Sequence, residues 1–504
     1  MVKFSRKDAT RAPIAIIDIG SNSGRVVVLE RDGAGHLRLL AGSRAPLRLV
    51  HDVDERRSLS EESMARTMEA VRDFHAIAVG AGAKRIVAVA TAAMRDAKNG
   101  QVFRDRIRRE LGIQVDIIDG RAEARYGFAG AVRGLAVSSG MWFDLGGGSI
   151  QVAPFRSRRL GPSTSLALGA LRLSETFLLS DPPKPREIRR LRDHVRSQLK
   201  KSRLKRLRDD EELVGTGGTL RNLAKIDRSQ HPYPVGSLHG YVLSLDRLRE
   251  VVRRLATTRQ KHRDAIAGLS AERADSVVGG AIAIEVLMEF VRAQHIVVSG
   301  QGVREGIAQS VMKMRIASAR DVKEVSLASL ASRFDSWRPE AAARRRATAA
   351  VLLRALEPQA DPALAGALDR GARLLDIGTS LDFFERHEHV AEMLLATELD
   401  GFTHEEIALV SGLVRLAGDR HADLEPLSPL ITDADRVQLD RGAVILALAD
   451  AIERRCPRGH AIPVSCSVGR VVTVSVPLLS AWHSRELGPR FERAFGKALV
   501  VKTG

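Results

Sequence analysis

Two glycine-rich turns place the strongest constraint on the fold. The segments IAIIDIGSNSGRVVVLE (residues 14–30) and FDLGGGSIQV (residues 143–152) share one order: apolar residues, an aspartate, an apolar residue, a glycine, small residues, and apolar residues again. Each segment predicts a strand, a tight turn and a return strand. The two aspartates, Asp18 and Asp144, lie 126 positions apart. This weak repeat predicts two duplicated α/β lobes.

Two more glycine turns follow strand-like runs, in VGTGGTL (residues 214–220) and IVVSGQGVREG (residues 296–306). Turns of this type leave backbone N–H groups free to hold an anion. Ligands of α/β proteins gather where strands end. We therefore expect the four turns to converge on one cleft that binds phosphate.

The 504 residues are too many for one core and suggest about two to four domains. After about Val311 the chain is rich in Ala, Leu and Arg at helical spacing. We predict a disordered lead-in (1–10), lobe I (11–135), lobe II (136–311) and a mainly helical C-terminal domain (312–504).

The net charge of +18 favours polyanionic partners. Residues 184–208, KPREIRRLRDHVRSQLKKSRLKRLR, carry twelve basic and two acidic side chains. This run is either the solvated face of an amphipathic helix or an electrostatic guide for a long polyanion. Aromatic residues are only 4% of the chain, which argues against a nucleic-acid binding module with stacking side chains. No apolar run is long enough for a membrane span, no secretory signal is evident, and we expect a cytoplasmic protein.

The four turns resemble those of the actin-like superfamily, and nine sequence motifs resemble those of the exopolyphosphatase/guanosine pentaphosphatase (Ppx/GppA) family. The similarity covers nearly all of residues 11–310, and a fainter one continues through RHEHVAEMLLATELDGFTHEE (residues 386–406). The nine motifs, in chain order, are IDIGSNSGR, LSEES, VATAAMRDAKN, IIDGRAEARYGFAG, FDLGGGSIQV, SLALGALRLSETF, VGTGGTLRNLAKI, HGYVLS and SGQGVREG.

This resemblance implies an α/β fold of two actin-like (ribonuclease H-like) lobes and a helical C-terminal domain resembling a degenerate HD domain. It also implies removal of the terminal phosphate from inorganic polyphosphate or guanosine pentaphosphate, with Mg²⁺ or another divalent cation. Guanosine tetraphosphate as an inhibitor and a homodimer are further expectations.

Glu123, in GRAEARYG, matches the catalytic glutamate of the family. A carboxylate can deprotonate water when its surroundings raise its pKa toward neutrality. From the residues alone, Glu123 could equally be an ordinary acid in the first turn of a helix. Many relatives have two glutamates here, but Ala122 precedes Glu123, which leaves one candidate.

The resemblance also assigns metal and phosphate ligands. Asp18 and Asp144 suit Mg²⁺, which takes few carboxylates and several waters, although such aspartates also simply form turns. Arg25 and Arg95 match phosphate-binding arginines, whose planar fork suits phosphate; either could instead form a surface salt bridge. The remaining expected phosphate ligands are Ser21, Asn22, Ser23, Gly146, Gly147, Gly148, Ser149, Gly217, Gly218 and Thr219, with Arg304 as a less specific candidate.

Gln151 stands where family members commonly have glutamate. A glutamine can orient water but cannot accept its proton at neutral pH, so the base is assigned to Glu123 alone. His239 is expected to be structural. Arg386, His387 and Asp450 resemble a degraded HD site, but no His-Asp pair occurs after residue 310. We therefore expect no second metal hydrolase site, and a C-terminal domain that extends the polyanion channel or forms the dimer contact.

We expect an exopolyphosphatase, a hydrolase that removes the terminal phosphate of inorganic polyphosphate with Glu123 activating water, and three other functions remain open. A guanosine pentaphosphate hydrolase of the same family would use the same residues. An actin-like ATPase or sugar kinase would need an adenosine pocket in the second lobe. A non-enzymatic sensor of guanosine tetraphosphate or polyphosphate would bind without turnover.

Overall fold

The computed structural model describes residues 12–482 and 485–504, which divide into two compact units. Unit 1 holds residues 12–231 and 238–326, and unit 2 holds residues 232–237 together with the described residues from 327 onward. The predicted lead-in lies outside the described residues. The domain boundaries expected from the sequence stay predictions.

The first half of unit 1 is a five-stranded sheet with five helices. The sheet order is β3-β2-β1-β4-β5, with β1 antiparallel to β2 and parallel to β4. The strands are β1 (Ile14–Ile19), β2 (Ser23–Arg31), β3 (Leu37–Pro46), β4 (Arg85–Ala90) and β5 (Val115–Ile117). The helices are α1 (Leu49–Arg56), α2 (Glu61–Gly80), α3 (Ala92–Asp96), α4 (Gly100–Leu111) and α5 (Gly120–Arg133).

The second half of unit 1 is a larger sheet with seven helices. Its order is β11-β12-β10-β6-β7-β8, and β9 pairs with β7. The strands are β6 (Gly140–Leu145), β7 (Ile150–Arg156), β8 (Arg159–Leu160), β9 (Thr164–Leu166), β10 (Glu212–Thr216), β11 (Val242–Ser244) and β12 (His295–Val298). The helices are α6 (Ala170–Phe177), α7 (Pro185–Lys201), α8 (Gly218–Arg228), α9 (Leu245–Thr257), α10 (Gln260–Arg263), α11 (Val277–Val291) and α12 (Val303–Val311).

The two sheets repeat one plan, which confirms the predicted duplication. Each begins with an antiparallel hairpin, β1–β2 or β6–β7, and the first strand of each hairpin pairs in parallel with a later strand. Even the register repeats, because Asp18 pairs with Arg25 in one hairpin and Asp144 with Gln151 in the other. The central strands β1 and β6 are apolar on both faces, as buried strands require.

Helix α7 carries the basic run that the sequence predicts as amphipathic. Leu191, Val195 and Leu199 are buried on one face. Beside this face, Arg192 donates to Glu285 of α11 at 2.6 Å and Arg196 lies 3.6 Å from Glu289 of the same helix. Most of the remaining cations of residues 184–208 are exposed.

Unit 2 is mainly helical, as the sequence predicts. It also contains a small sheet of order β13-β14-β15. Buried leucines of the helices belong to one hydrophobic core. The helices are α13 (Ala319–Ala331), which begins in unit 1, α14 (Pro339–Leu356), α15 (Pro362–Leu374), α16 (Arg386–Ala396), α17 (His404–Gly418), α18 (Asp433–Glu453) and α19 (Leu487–Phe495). The strands are β13 (Ser465–Val468), β14 (Val472–Val476) and β15 (Leu499–Thr503).

In the part of the chain that the structure describes, no helix combines the length and apolar character needed to cross a membrane. The cytoplasmic location, the homodimer and the absence of a second metal hydrolase site, all expected from the sequence, stay predictions.

Candidate active site

All four glycine turns line one cavity of about 140 Å³ in unit 1. Residues 20–23, 145–149, 216–218 and 301–304 form its wall together with Asp18, Arg25, Glu123 and Asp144. The predicted convergence of the turns is therefore confirmed. Three of the expected site residues, Arg95, Thr219 and Gln151, do not line this cavity.

The two hairpin turns face each other closely, which explains their bare backbone. A Cβ on Gly147 would lie 3.2 Å from Cβ of Asn22, and a Cβ on Gly148 would lie 3.3 Å from Cγ2 of Val50. Ser21 Oγ accepts a hydrogen bond from Ala93 N at 3.2 Å, which ties the first turn to helix α3. A side chain at Gly147 would therefore press on the first turn, and one at Gly148 would press on α1.

The second turn offers its N–H groups to the cavity. Its carbonyl oxygens are bound to the start of α6, since Ala170 N donates to Gly146 O at 2.9 Å and Leu171 N to Gly147 O at 3.0 Å. In a trans peptide the carbonyl and the next N–H point in opposite directions. The N–H groups of Gly147 and Gly148 therefore point away from α6 and make no hydrogen bond with a described residue. They are free to hold an anion.

The third turn brings β10 and α8 against the second. Gly217 has φ +106°, and a Cβ there would lie 2.9 Å from Oδ1 of Asp144. A Cβ on Gly218 would overlap the guanidinium of Arg273. Thr219 is fully buried, and its Oγ1 accepts from Nη1 of Arg273 at 3.4 Å. The structure thus places Thr219 behind Arg273 instead of at the cavity wall.

The fourth turn contributes Arg304 from the first turn of α12. Arg304 is 8% exposed, its Nε has no hydrogen-bond partner among the described residues, and it lines the cavity. Arg221 of α8 also lines the cavity and donates from Nη1 to Gly300 O at 2.9 Å. His239 is buried beneath this turn, where its Nδ1 accepts from Gly300 N at 3.3 Å, as its expected structural role requires.

Four arginines concentrate positive charge in the cavity. Burial together with the guanidiniums of Arg221 and Arg304 lowers the pKa of Arg25 to about 8. Burial and Arg221 likewise lower the pKa of Arg273 to about 10. Guanidiniums that repel one another in a small cavity are stabilised by a bound anion, and their planar fork suits phosphate.

Asp18 and Asp144 occupy equivalent places in the two hairpins. Burial raises the pKa of both carboxyls, and nearby arginines oppose this rise: Arg304 and Arg25 for Asp18, and Arg221 for Asp144. Among the described residues no group of three or more His, Cys, Asp or Glu side chains could hold a metal ion. Two aspartates fit Mg²⁺, which keeps several waters and binds substrate phosphates.

Glu123 lies in the first turn of α5, whose N-cap Asp119 accepts a hydrogen bond from Ala122 N at 2.7 Å. Its side chain is 15% exposed. Burial raises the pKa of Glu123 to about 7; Arg95 opposes this rise, and Asp144 and Asp18 add to it. Glu123 can therefore exchange a proton near neutral pH, as a general base must.

Arg95 contacts Glu123 and does not reach the cavity wall. Its Nη1 donates to Oε2 of Glu123 at 3.2 Å and to Ile118 O at 2.9 Å. The sequence placed Arg95 at the phosphates, whereas the structure makes it the partner of the carboxylate.

Gln151 lies opposite Asp144 but is 3% exposed. Its Nε2 donates to Ser165 Oγ at 3.0 Å, and its Oε1 has no hydrogen-bond partner among the described residues. A Cβ on Gly120 would be 3.8 Å from Nε2 of Gln151, so this amide lies beside the start of α5.

The sequence did not identify Arg221 and Arg273 as cavity residues. Arg221 follows the third glycine turn directly, and a search for cations one turn into a helix after such a motif would have found it. Arg273 lies in SAERADS, far from any glycine turn, and only the folding of the chain brings it under Gly218.

Comparison with protein families gives two matches. Residues 26–315 match the Ppx/GppA phosphatase family, and residues 322–468 match domain III of Ppx/GppA phosphatases.

The matches to individual relatives span most of the length of each relative. Exopolyphosphatase 2 of Mycobacterium tuberculosis is 32% identical over 314 residues, which are 59% of this chain and 98% of that protein. Guanosine-5'-triphosphate,3'-diphosphate pyrophosphatase of Photobacterium profundum is 27% identical over 481 residues, 93% of this chain and 92% of that protein. The crystal structure of the Aquifex aeolicus Ppx/GppA family member is similar with a TM-score of 0.53 and 28% identity, covering 60% of this chain and 98% of that one.

Proposed function

This chain belongs to the Ppx/GppA phosphatase family, and from that premise we propose that it is an exopolyphosphatase, which hydrolyses the terminal phosphoanhydride bond of inorganic polyphosphate and releases orthophosphate. One observation carries the proposal: a carboxylate with a pKa of about 7, Glu123, lines the same small cavity as four arginines and two aspartates. Removal of a terminal phosphoryl group needs a base for water and positive charge on the phosphate oxygens.

The residues have separate tasks in this reaction. The N–H groups of Gly147 and Gly148, with the guanidiniums of Arg25 and Arg304, bind and orient the terminal phosphate. Glu123 accepts a proton from the attacking water. The water oxygen bonds to the terminal phosphorus, the bond from that phosphorus to the bridging oxygen breaks, and the shortened chain leaves with the electron pair. A divalent cation held by Asp18 and Asp144 would neutralise charge that develops on the phosphate oxygens.

Release of orthophosphate from long polyphosphate tests the proposal directly. We expect release that depends on Mg²⁺ and falls by about 10²–10⁴-fold in Glu123→Gln, the range of a lost general base. Glu69→Gln, on the exposed face of α2, is a matched control and should keep full activity. Full activity in Glu123→Gln would refute the assigned base.

Guanosine pentaphosphate is the second candidate substrate. The Photobacterium profundum pyrophosphatase supports it, because that similarity spans both units of this chain. The value of kcat/KM on each substrate, measured with one preparation, decides between them. We expect the higher value on polyphosphate, because the net charge of +18 favours a long anionic chain.

Two other classes predict different results with the same protein. An ATPase or sugar kinase would bind ATP tightly in calorimetry, whereas an exopolyphosphatase should bind polyphosphate far more tightly than ATP. A sensor would retain ligand binding and release no phosphate with any divalent cation.

A further inference from the structure

Unit 2 contains its own large cavity, formed by residues of α16, α17, α18 and α19. Its volume is about 680 Å³, within the range of small-molecule binding sites. Six arginines line it against three carboxylates. The cavity therefore carries a net positive charge that its own acids do not balance.

A largely buried ionic cluster borders this cavity, which is lined by three of its members, Asp450, Arg386 and Arg454. Asp450 is 2% exposed and accepts from Nε of Arg345 at 3.0 Å and from Nη2 of Arg386 at 2.8 Å. Nε of Arg454 lies 3.1 Å from the same carboxylate. One aspartate thus faces three guanidiniums, and Asp376, which binds Arg345 at 2.7 Å, is the other acid of the cluster.

His387 lies among the same charged groups. It lines the cavity beside Arg386. Burial, the largest cause, and the guanidiniums of Arg386, Arg454 and Arg345 together lower the pKa of His387 to about 4, while Asp450 opposes this change. The contribution of the three guanidiniums is in keeping with the excess of arginines over carboxylates along the cavity wall.

Two arginines at the rim have no acidic partner. Arg420 and Arg493 are exposed, line the cavity and make no ion pair with any described residue. Arg490, which also lines the cavity, donates to the carbonyl oxygens of Ala417 and Leu416 at the end of α17. The rim arginines are thus available to a ligand, while Arg490 ties α19 to the end of α17.

We propose that this cavity is a second anion site, which binds a compact phosphoanhydride such as a nucleotide polyphosphate or a short inorganic polyphosphate. The excess of three arginines over carboxylates among the lining residues favours a multiply charged anion, and arginine forks bind phosphate oxygens in pairs. The volume admits a nucleoside as well as its phosphates. This inference does not depend on the proposed reaction in unit 1.

Calorimetry with inorganic tripolyphosphate tests the site. The full chain would carry Glu123→Gln and be kept free of divalent cations to prevent turnover. We expect Arg420→Glu/Arg493→Glu to abolish one binding event, or to weaken it by at least 10-fold. The matched control, Arg458→Glu/Arg470→Glu, changes two exposed arginines of unit 2 that do not line the cavity and should keep both affinity and stoichiometry. Unchanged binding in the first double variant would overturn the proposal, as would an equal loss in the control.

A second measurement uses the chain in which Arg420 and Arg493 are unchanged. In NMR spectra of histidine-labelled protein, the His387 signal, assigned with His387→Gln, should shift on addition of tripolyphosphate. An unmoved signal would overturn the proposal. The same titration with GTP identifies the ligand source: a shift at lower concentration than with tripolyphosphate indicates a nucleotide, and the reverse indicates an inorganic chain.

Discussion

Nη1 of Arg95 lies 3.2 Å from Oε2 of Glu123, which makes this arginine a positioning partner of the proposed base. Arg95 opposes the effect of burial, which raises the pKa of Glu123 to about 7. The same guanidinium also donates to Ile118 O at 2.9 Å and so fixes the carboxylate near the start of α5.

Removing the charge of Arg95 should shift the pH dependence of the reaction. Because Arg95 lowers the pKa of Glu123, Arg95→Gln should raise it. A base works only when deprotonated, so the acidic limb of kcat/KM, near pH 7 in the parent, should move to higher pH. Phosphate release measured from pH 5 to 9 checks this. Arg95→Lys keeps the charge and should hold the limb near 7; an unmoved limb in Arg95→Gln would contradict the pairing.

The buried carboxylate of Glu123 should lower the free energy of unfolding at neutral and alkaline pH. Its pKa rises from 4.5 to about 7 on folding, so the folded state binds the proton more tightly than the unfolded state. The penalty is absent below pH 4.5, grows between pH 4.5 and 7, and is complete above 7. Without metal, Glu123→Gln should raise the free energy of unfolding by roughly 1–3 kcal/mol at pH 8 and little at pH 4.5.

Urea unfolding at the two pH values measures this difference. Glu69→Gln, on the exposed face of α2, is the control and should show no such pH-dependent gain. An equal effect of Glu123→Gln at pH 4.5 and pH 8 would rule out the protonation mechanism.

Restoring a carboxylate at Gln151 should strengthen cation binding. Residues directly opposite in an antiparallel pair project to one face of the sheet, so Gln151→Glu would place a second carboxylate beside Asp144. Without metal the added charge, at a 3% exposed position, should lower the melting temperature. With Mg²⁺ the loss should be recovered, so the Mg²⁺-dependent rise in Tm should exceed that of the parent. Gln151→Ala is the control, and a rise equal to the parent's would contradict the prediction.

Alanine substitutions at Gly217, which caps α8, and at Gly218, its first residue, should differ in their effect on stability. Gly217 has φ +106°, and a Cβ there meets backbone of β6, so Gly217→Ala should destabilise the fold by roughly 1–3 kcal/mol. At Gly218 a Cβ meets the movable end of Arg273 instead. Gly218→Ala should therefore keep most of the stability and raise KM for polyphosphate. Thermal unfolding and KM measured on both variants check this, and equal stability losses would contradict it.

Local features of the chain were predictable because they depend on near neighbours. The hairpins around Asp18 and Asp144 follow from apolar runs interrupted by glycine turns, and helix α5 follows from its aspartate cap. Arg95 and Thr219 lie in two other motifs that resemble the family, yet their side chains contact Glu123 and Arg273 and do not line the cavity. Proximity along the chain did not reveal the direction of those side chains, which packing sets.

The sequence by itself determined the duplicated lobes, the four turns and most of the cavity wall, since hydrogen bonding within turns and the alternation of buried residues act over short stretches. Only the tertiary structure decided which charges meet. Arg273 reaches the cavity across a separation of 54 residues from Thr219, and the pKa of Glu123 depends on burial, Arg95, Asp144 and Asp18. Coulomb interactions and desolvation depend on distances in space, which no spacing along the chain contains.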